Sequence, residues 1–540
     1  MAFSLSFDPL TYHHPSRRQV VYGRRGMVCT GNPLAAQAGL MALRKGGNAI
    51  DAAVATAAAL TVVEPTANGL GSDAFAIVYT GGKLYGLNAS GPSAMAASLQ
   101  AITDLGLKEM PINGVKASNV PGAVSAWAEL NRRFGKLTLA ECVDAAATYA
   151  EEGYPLEPGV GSGWKGSYNR FSKALGEMPE LENWFKTFTP DGHCLGPGDI
   201  LRLPDHAKTL RAIGASNGEE FYRGGIAHEI GQFYQKMGGF LREEDLNAYY
   251  PEWVEPLTTD YHGFTVCELP PNGHGITVLM ALNILKGLEP VSDPFLSVHR
   301  QIEAMKLAFV DAQKYVADRR YMQVTPEELL SEEYAASRRK LITGEALDPT
   351  PWTPVKGGTV YLCTADGEGN MVSYIQSNYM GFGSGVVVPG TGISMNNRAA
   401  NFYLDPQSPN AFGPGKKSYH TIIPGFLMKD GMPVGPFGIM GGFMQPQAHL
   451  QVLLASIDQH ANPQDALDHP RWMWTGGKTI EVEQSFDPAL VGQLSRAGHN
   501  IVVRASSGPF GRGEIIWRDN ENGVLCGGCE MRTDGQVAVW

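Results

Sequence analysis

The sequence is poor in charge. Only 18% of its 540 residues are Asp, Glu, Lys or Arg, against roughly 25% in an ordinary globular chain. The net charge is −11 and no cluster of lysine and arginine offsets it. That excludes the basic footprint a nucleic acid or an anionic membrane would need. Long apolar runs are missing too. The most apolar stretch, 49–63, is interrupted by Asp51 and falls short of the roughly 18 to 20 residues that span a bilayer. The first twenty residues hold no apolar run of signal-peptide length, and Arg17 and Arg18 come late. These absences point to a soluble protein of the cytoplasm, with neither nucleic acid nor membrane as partner. Cysteines are few and odd in number: Cys29, Cys142, Cys194, Cys267, Cys363, Cys526 and Cys529. They make no disulfide framework. Cys526 and Cys529 form a lone CxxC without the second ligand pair of a structural zinc, and read as packed strand or turn residues. There is no HExxH or comparable metal motif, no internal repeat and no low-complexity segment. Neither metal nor other cofactor is expected.

The chain does have 43% apolar residues and 65 glycines, which suits a sizeable core of buried sheets and tight turns. Asn32-Pro33 opens a helix that Gly46-Gly47 stops near Lys45. Asn48 caps a second, alanine-rich helix over 49–60. Residues 74–80 alternate like a strand, and Gly81-Gly82 turns it into a hairpin. Gly69-Leu70-Gly71-Ser72-Asp73-Ala74 fits the dinucleotide pattern G-x-G-x-x-A, but a strand follows where the phosphate-binding helix should start, so nucleotide binding is excluded. Residues 95–255 read as mostly helical. A strand at 264–269, a helix at 276–285 and a long amphipathic helix at 297–318 follow. His299 and Glu303 sit one turn apart on that helix and read as a surface pair, for want of a third ligand. Residues 320–357, with helix breakers and Pro349, Pro351 and Pro354, read as an exposed, flexible segment. Strands, turns and glycine dominate to 450, then helices from 446 and 463, and strands at 479–482, 501–503 and 537–539.

One stretch carries chemistry. Gly357-Gly358 runs directly into Thr359 at the head of a strand that ends near Asp366; the turn 366–370 returns it as a second strand, 371–377. A threonine hydroxyl is a poor nucleophile until a base takes its proton. At a new N-terminus the residue's own α-amine, with a pKa of about 8, can be that base. The pattern therefore admits self-cleavage between Gly358 and Thr359, by attack of the Thr359 hydroxyl on the Gly358 carbonyl. A glycine at 358 tolerates the strained backbone such an attack needs. Ser377, on the partner strand, is placed to orient Thr359, and the glycines 438–442 before a helix could offer N–H groups as an oxyanion hole. Local physics permits this and does not single out Thr359 among the chain's threonines.

The sequence resembles the γ-glutamyltransferase (glutathione hydrolase) family of N-terminal-nucleophile hydrolases. The matching stretches are Gly46 to Ala53, Val63-Glu64-Pro65 with Gly69-Leu70-Gly71, Val120-Pro121-Gly122 with Trp127, Glu303 to Lys306, Gly358-Thr359 with Asp366 to Asn370, Phe382 to Gly385, Asn396-Asn397 and Met440-Gly441-Gly442. The resemblance implies an α+β fold, a four-layer αββα sandwich, and a proenzyme cut into a large subunit, 1–358, and a small subunit, 359–540, intertwined in one domain. It implies Thr359 as nucleophile, Ser377 as supporting hydroxyl and Gly441 and Gly442 as oxyanion donors, acting on a small-molecule amide. A homodimer of the processed unit is compatible with it. The pocket departs from the family pattern. Ser90 stands where the carboxylate-binding arginine belongs, Asn401 at the acidic position, His420 and Thr421 at the paired serines, and Arg398 at a glutamine. The loop 402–424 is short, as in members without a lid. Ser377 to Gly383, which includes Tyr379, and Tyr419 to Pro424 look closest to a branch called glutathione hydrolase-like, cephalosporin acylase-like or oxamate amidohydrolase. Arg398 stands either as a replacement carboxylate anchor or as an ordinary structural arginine. The nominal substrate is a γ-glutamyl compound, with another carboxylate-bearing amide as the alternative. An uncleaved, non-enzymatic binding protein is the reading from a different class.

Overall fold

The computed structural model describes residues 18–349 and 358–540; Pro351 and Pro354, and the flexibility expected there, lie outside them. Period-two alternation builds the centre of the fold. In the strand Gly358–Asp366, Val360 and Leu362 join one core, with the helices Ala49–Val63 and Ala123–Phe134. Tyr361, Cys363 and Ala365 face the other way, into a core shared with Phe75, Ile77 and Phe426. A third core joins Phe437 and Ile439 to the helices Ile276–Leu285, Pro294–Tyr315 and Gln445–Ile457. Three cores separate four layers in the order helix, sheet, sheet, helix, which is the αββα sandwich expected.

Both sheets have seven strands and are antiparallel throughout. One runs Gln536–Val539, Gly26–Thr30, Gly358–Asp366, Met371–Tyr379, Asp73–Thr80, Lys83–Ala89, Glu252–Val254; the other includes Gly425–Lys429, Met432–Met440, Arg512–Arg518 and Leu525–Cys529. Both seven-stranded sheets combine strands from before and after residue 358 in hydrogen-bonded contact, so neither part forms a main sheet alone. The helix Ala49–Val63 is buried along its whole length, as its all-round apolar character requires. Asn48 and Asp51 form a capping box, and Asp366 Oδ2 accepts from Ala49 N at 2.9 Å. The helix is thereby locked to the turn of the Gly358 hairpin. No helix among the described residues is long and apolar enough to cross a membrane.

Three expectations are corrected. The long helix runs over Pro294–Tyr315, not 297–318, because Asp293 caps it and Pro294 takes its first position. Within 320–349, Pro326–Leu329 and Glu332–Arg339 are helices capped by Thr325 and Ser331. His299 and Glu303 are not a surface pair: both are buried, with His499 as a third group. Lys306 Nζ sits 2.8 Å from Glu303 Oε1, 3.1 Å from Leu347 O and 3.5 Å from His499 Nδ1. Glu303 Oε2 accepts from Leu347 N. His299 Nε2 donates to Thr343 O at 2.9 Å. That leaves His299 Nδ1 to accept from His499 Nε2, also at 2.9 Å. Both imidazoles are neutral by this pattern, and burial pushes His499 down to about 3. The Lys306 ammonium is the cation this cluster already holds.

Breaking one partner of a buried pair leaves the other charge uncompensated. Lys306→Met should lower stability by about 3–5 kcal/mol. Lys306→Met with Glu303→Gln should recover most of that loss. Denaturation midpoints of the wild type and the two variants check this.

Candidate active site

The hairpin of Gly358–Asp366 and Met371–Tyr379 has a tight turn at one end and an irregularity at the other. Cα partners run in register from Ala365–Met371 to Val360–Gln376, then slip by one residue so that Gly358 faces Tyr379. The unslipped register already sets Ser377 opposite Thr359, and the slip begins beyond them. Thr359 Oγ1 donates to Ser377 Oγ at 3.1 Å, Ser377 Oγ donates to Gly358 O at 2.7 Å, and Tyr379 N donates to Ser377 Oγ at 2.7 Å. One serine hydroxyl thus receives the threonine hydroxyl and holds the carbonyl just before it. Gly358 lies against Thr66, Ala67 and Gly381. Thr359 and Ser377 are buried.

The strand Met432–Met440 in the facing sheet crosses this hairpin. Gly438 abuts the Tyr361 ring, and Ser373 Oγ donates to Phe437 O. Continuing from Phe437 to Met440 therefore leads toward the end that carries Thr359. There Gly441 (φ +143°) and Gly442 (φ +61°) break the strand and start the turn into Gln445–Ile457. Both φ values lie where a side chain is disfavoured.

Tyr379 itself has φ +80°, unusual for a bulky residue. It presents its ring to Arg398, whose Cζ is 4.8 Å from the ring centroid. Arg398 is fully buried. Its Nη1 donates to Thr421 Oγ1 at 3.0 Å, and its Nε lies 3.3 Å from Asp73 Oδ2. That contact is an ion pair without hydrogen-bond alignment. Asp73 Oδ2 also meets His420 Nε2 at 3.0 Å, and Oδ1 accepts from Gly91 N at 3.2 Å. His420 Nδ1 accepts from Ile422 N, so the imidazole is neutral with its proton on Nε2. Burial, with Arg398 and Lys417 nearby, drives His420 well below its usual range. Burial pushes Asp73 up to about 6 against the pull of Arg398, and Arg398 down to about 10. Asn401 closes the short turn Arg398–Asn401. Ser90 is close by, but its Oγ is engaged with Asn88 Oδ1 and Asn272 Oδ1. Asn272 in turn donates to Ser418 O and accepts from His420 N.

Thr359, Ser377, Tyr379, Arg398, Thr421 and His420 thus form one chain of direct contacts. Asp73 at its centre was missed by the sequence reading. The signal was present: an acid opening the apolar strand Asp73–Thr80 must be buried against a counter-ion.

The gamma-glutamyltranspeptidase family model matches residues 35–540. The chain belongs to that family. Among its relatives are the glutathione hydrolase-like YwrD proenzyme of Bacillus subtilis, 33% identical over 95% of this chain and 98% of that one. The oxamate amidohydrolase proenzyme of Klebsiella pneumoniae is 34% identical over 95% and 98%. The crystal structure of a cephalosporin acylase from Bacillus halodurans is 56% identical, covers 99% of each chain and superposes with a TM-score of 0.94. Relatives within the family thus include proenzymes and amide-cleaving enzymes with different named substrates.

Asp73 gives a pH test of the pocket. Its folded-state pKa of about 6 lies above the ordinary 3.8, so the folded protein binds more protons than the unfolded chain between these values. The associated stability is fully present below about 3.8 and is lost as pH rises through about 6. Relative to Asp73→Asn, the wild type should gain up to about 3 kcal/mol between pH 7 and pH 4. Denaturant titrations of both proteins across that range check it; a pH-independent difference would show that Asp73 does not titrate there.

Proposed function

We propose that the protein is a self-processing amide hydrolase with Thr359 as its nucleophile, acting on amides whose acyl part carries a carboxylate. The observation that carries the reading is the run Thr359 Oγ1, Ser377 Oγ, Gly358 O. In the uncut chain the Ser377 hydroxyl polarises the Gly358 carbonyl. Attack by Thr359 Oγ forms a C–O bond and breaks the Gly358–Thr359 C–N bond, with the proton passing to nitrogen. Water then hydrolyses the ester, leaving a carboxyl on Gly358 and a free amine on Thr359. The interleaved sheets support continued association of residues 1–358 with 359–540 after the cut.

In turnover the Thr359 amine takes the hydroxyl proton as Oγ attacks the substrate carbonyl. Ser377 then orients the nucleophile. Gly441 and Gly442 serve as oxyanion donors in this reading, their N–H groups meeting the developing negative charge. The leaving amine takes the proton, and water releases the acyl group. Arg398 serves as the carboxylate anchor: Nη2 is buried and lacks a partner among the described residues. Tyr379 supports its guanidinium, and Thr421 and His420 hold it in place; Ser90 acts through Asn272. Glutathione, oxamate and cephalosporin-type amides are the substrates that the relatives' names suggest.

Mass spectrometry of purified protein should find two chains, one beginning at Thr359. Thr359→Ala should remain a single 58.2 kDa chain and be inert. A wild type intact after long incubation contradicts the proposal. In self-cleaved protein, Arg398→Ala should raise KM for a carboxylate-bearing amide at least about tenfold, with a smaller change in kcat. An unchanged KM contradicts the anchoring role.

A further inference from the structure

Resting on the function proposed above, we infer that His449 is a positioning residue for the oxyanion turn. Held by Glu268, its imidazole fixes the strand end from which Gly441 and Gly442 present their N–H groups. The two glycines have no side chain by which a core could grip them. Gly441 packs on Gly511 and Met444, and Met444 N donates to Gly441 O at 3.2 Å. The turn is therefore only as fixed as its two arms, the strand Met432–Met440 and the helix Gln445–Ile457. The strand's pairing with Gly425–Lys429 ends at Phe437. Beyond that point Ile439 N donates to His449 Nε2 at 3.0 Å. This bond ties one arm to the other and brackets both glycines.

Accepting at Nε2 leaves the imidazole proton on Nδ1, which donates to Glu268 Oε1 at 2.8 Å. The Phe437 ring packs 5.1 Å from the imidazole, centroid to centroid. His449 and Glu268 are fully buried. Burial holds His449 down at about 3, so the ring stays neutral and keeps this tautomer near neutral pH. Gln445 lies one turn earlier on the same helix face. Its Oε1 accepts from Ile423 N at 3.0 Å, close to Thr421, which holds Arg398. One helix face thus anchors the oxyanion turn and the segment behind the carboxylate anchor. A displaced donor loses its effect where charge develops and little in the ground state, because the substrate carbonyl carries little charge. Loosening the turn should therefore lower kcat and leave KM alone.

The test compares full-length wild type, His449→Leu and His449→Gln, with γ-glutamyl and glutaryl para-nitroanilide as substrates and kcat expressed per cut chain. Leucine leaves Ile439 N buried without an acceptor; a glutamine oxygen can restore one near the position of Nε2. His449→Leu should lower kcat at least about tenfold, with KM within about threefold of the wild type. His449→Gln should recover most of that loss. A merely structural histidine would lower the denaturation midpoint and the yield of cut chain and leave kcat per cut chain unchanged. That result overturns the inference and leaves Thr359 as nucleophile. An equal loss of kcat in His449→Gln also overturns it.

Glu268→Met keeps the imidazole and removes its Nδ1 partner, so it decides the matter should His449→Leu fail to fold or to mature. Its kcat should fall at least about threefold with KM unchanged; an unchanged kcat contradicts the inference. A wild type that is uncut, or cut and inert toward both substrates, overturns the proposed function and this inference with it.

Discussion

The register of one hairpin fixes how Thr359, Ser377 and the Gly358 carbonyl meet. Gly358–Asp366 and Met371–Tyr379 pair in step until their open end, where a one-residue slip sets Gly358 opposite Tyr379. Ser377, which the regular register already sets opposite Thr359, touches both Thr359 Oγ1 and the Gly358 carbonyl. At the slipped pair Tyr379 takes a positive φ and holds its ring against Arg398. The closed end is held as firmly. Asp366 caps the turn through Glu368 N and Asn370 N and reaches Ala49 N at the start of a buried helix. A strand tied down at one end and irregular at the other delivers a threonine to the edge of the space between two sheets.

Burying a full guanidinium beside that space is costly, and the protein offsets the cost with a buried partner. Asp73 compensates Arg398, while His420 stays neutral by accepting at Nδ1 and donating at Nε2. A pair so arranged adds little net stability. What it supplies is a cation fixed in place, with Nη1 bonded to Thr421 and Nη2 without a partner among the described residues. The His299, Glu303, Lys306 and His499 cluster works differently. Every group in it is satisfied from within the protein, and it fastens Thr343 and Leu347 to residues far away in sequence.

Much of this was legible in the sequence wherever a local rule suffices. Asn32-Pro33 and Asn48 announced their helices because a cap and a first-turn proline act within four residues. The turn at 366–370 and the alternation on either side of it announced the hairpin. The long helix was misplaced by three residues because Asp293-Pro294, a start signal of the same kind, went unused. The helices at 326–339 were hidden by the helix breakers read across 320–357, although Pro326 sits at a first helical position, where it favours a helix. Long-range partnerships were opaque. Nothing near His299 or Glu303 announces His499, two hundred residues on, and nothing near Arg398 points to Asp73. Thr359 emerged only because distant motifs occur together in the family's order; its local sequence permits the chemistry without selecting it.

The central claim is that an acyl group passes through the Thr359 hydroxyl. Acid quenching during turnover of a slowly hydrolysed carboxylate-bearing amide, followed by peptide mass spectrometry, tests it most directly. The account predicts an adduct of the acyl mass on the peptide that begins at Thr359, removable by hydroxylamine as an ester. An adduct on any other residue, or turnover with no adduct under conditions that trap a known acyl-enzyme, would contradict it.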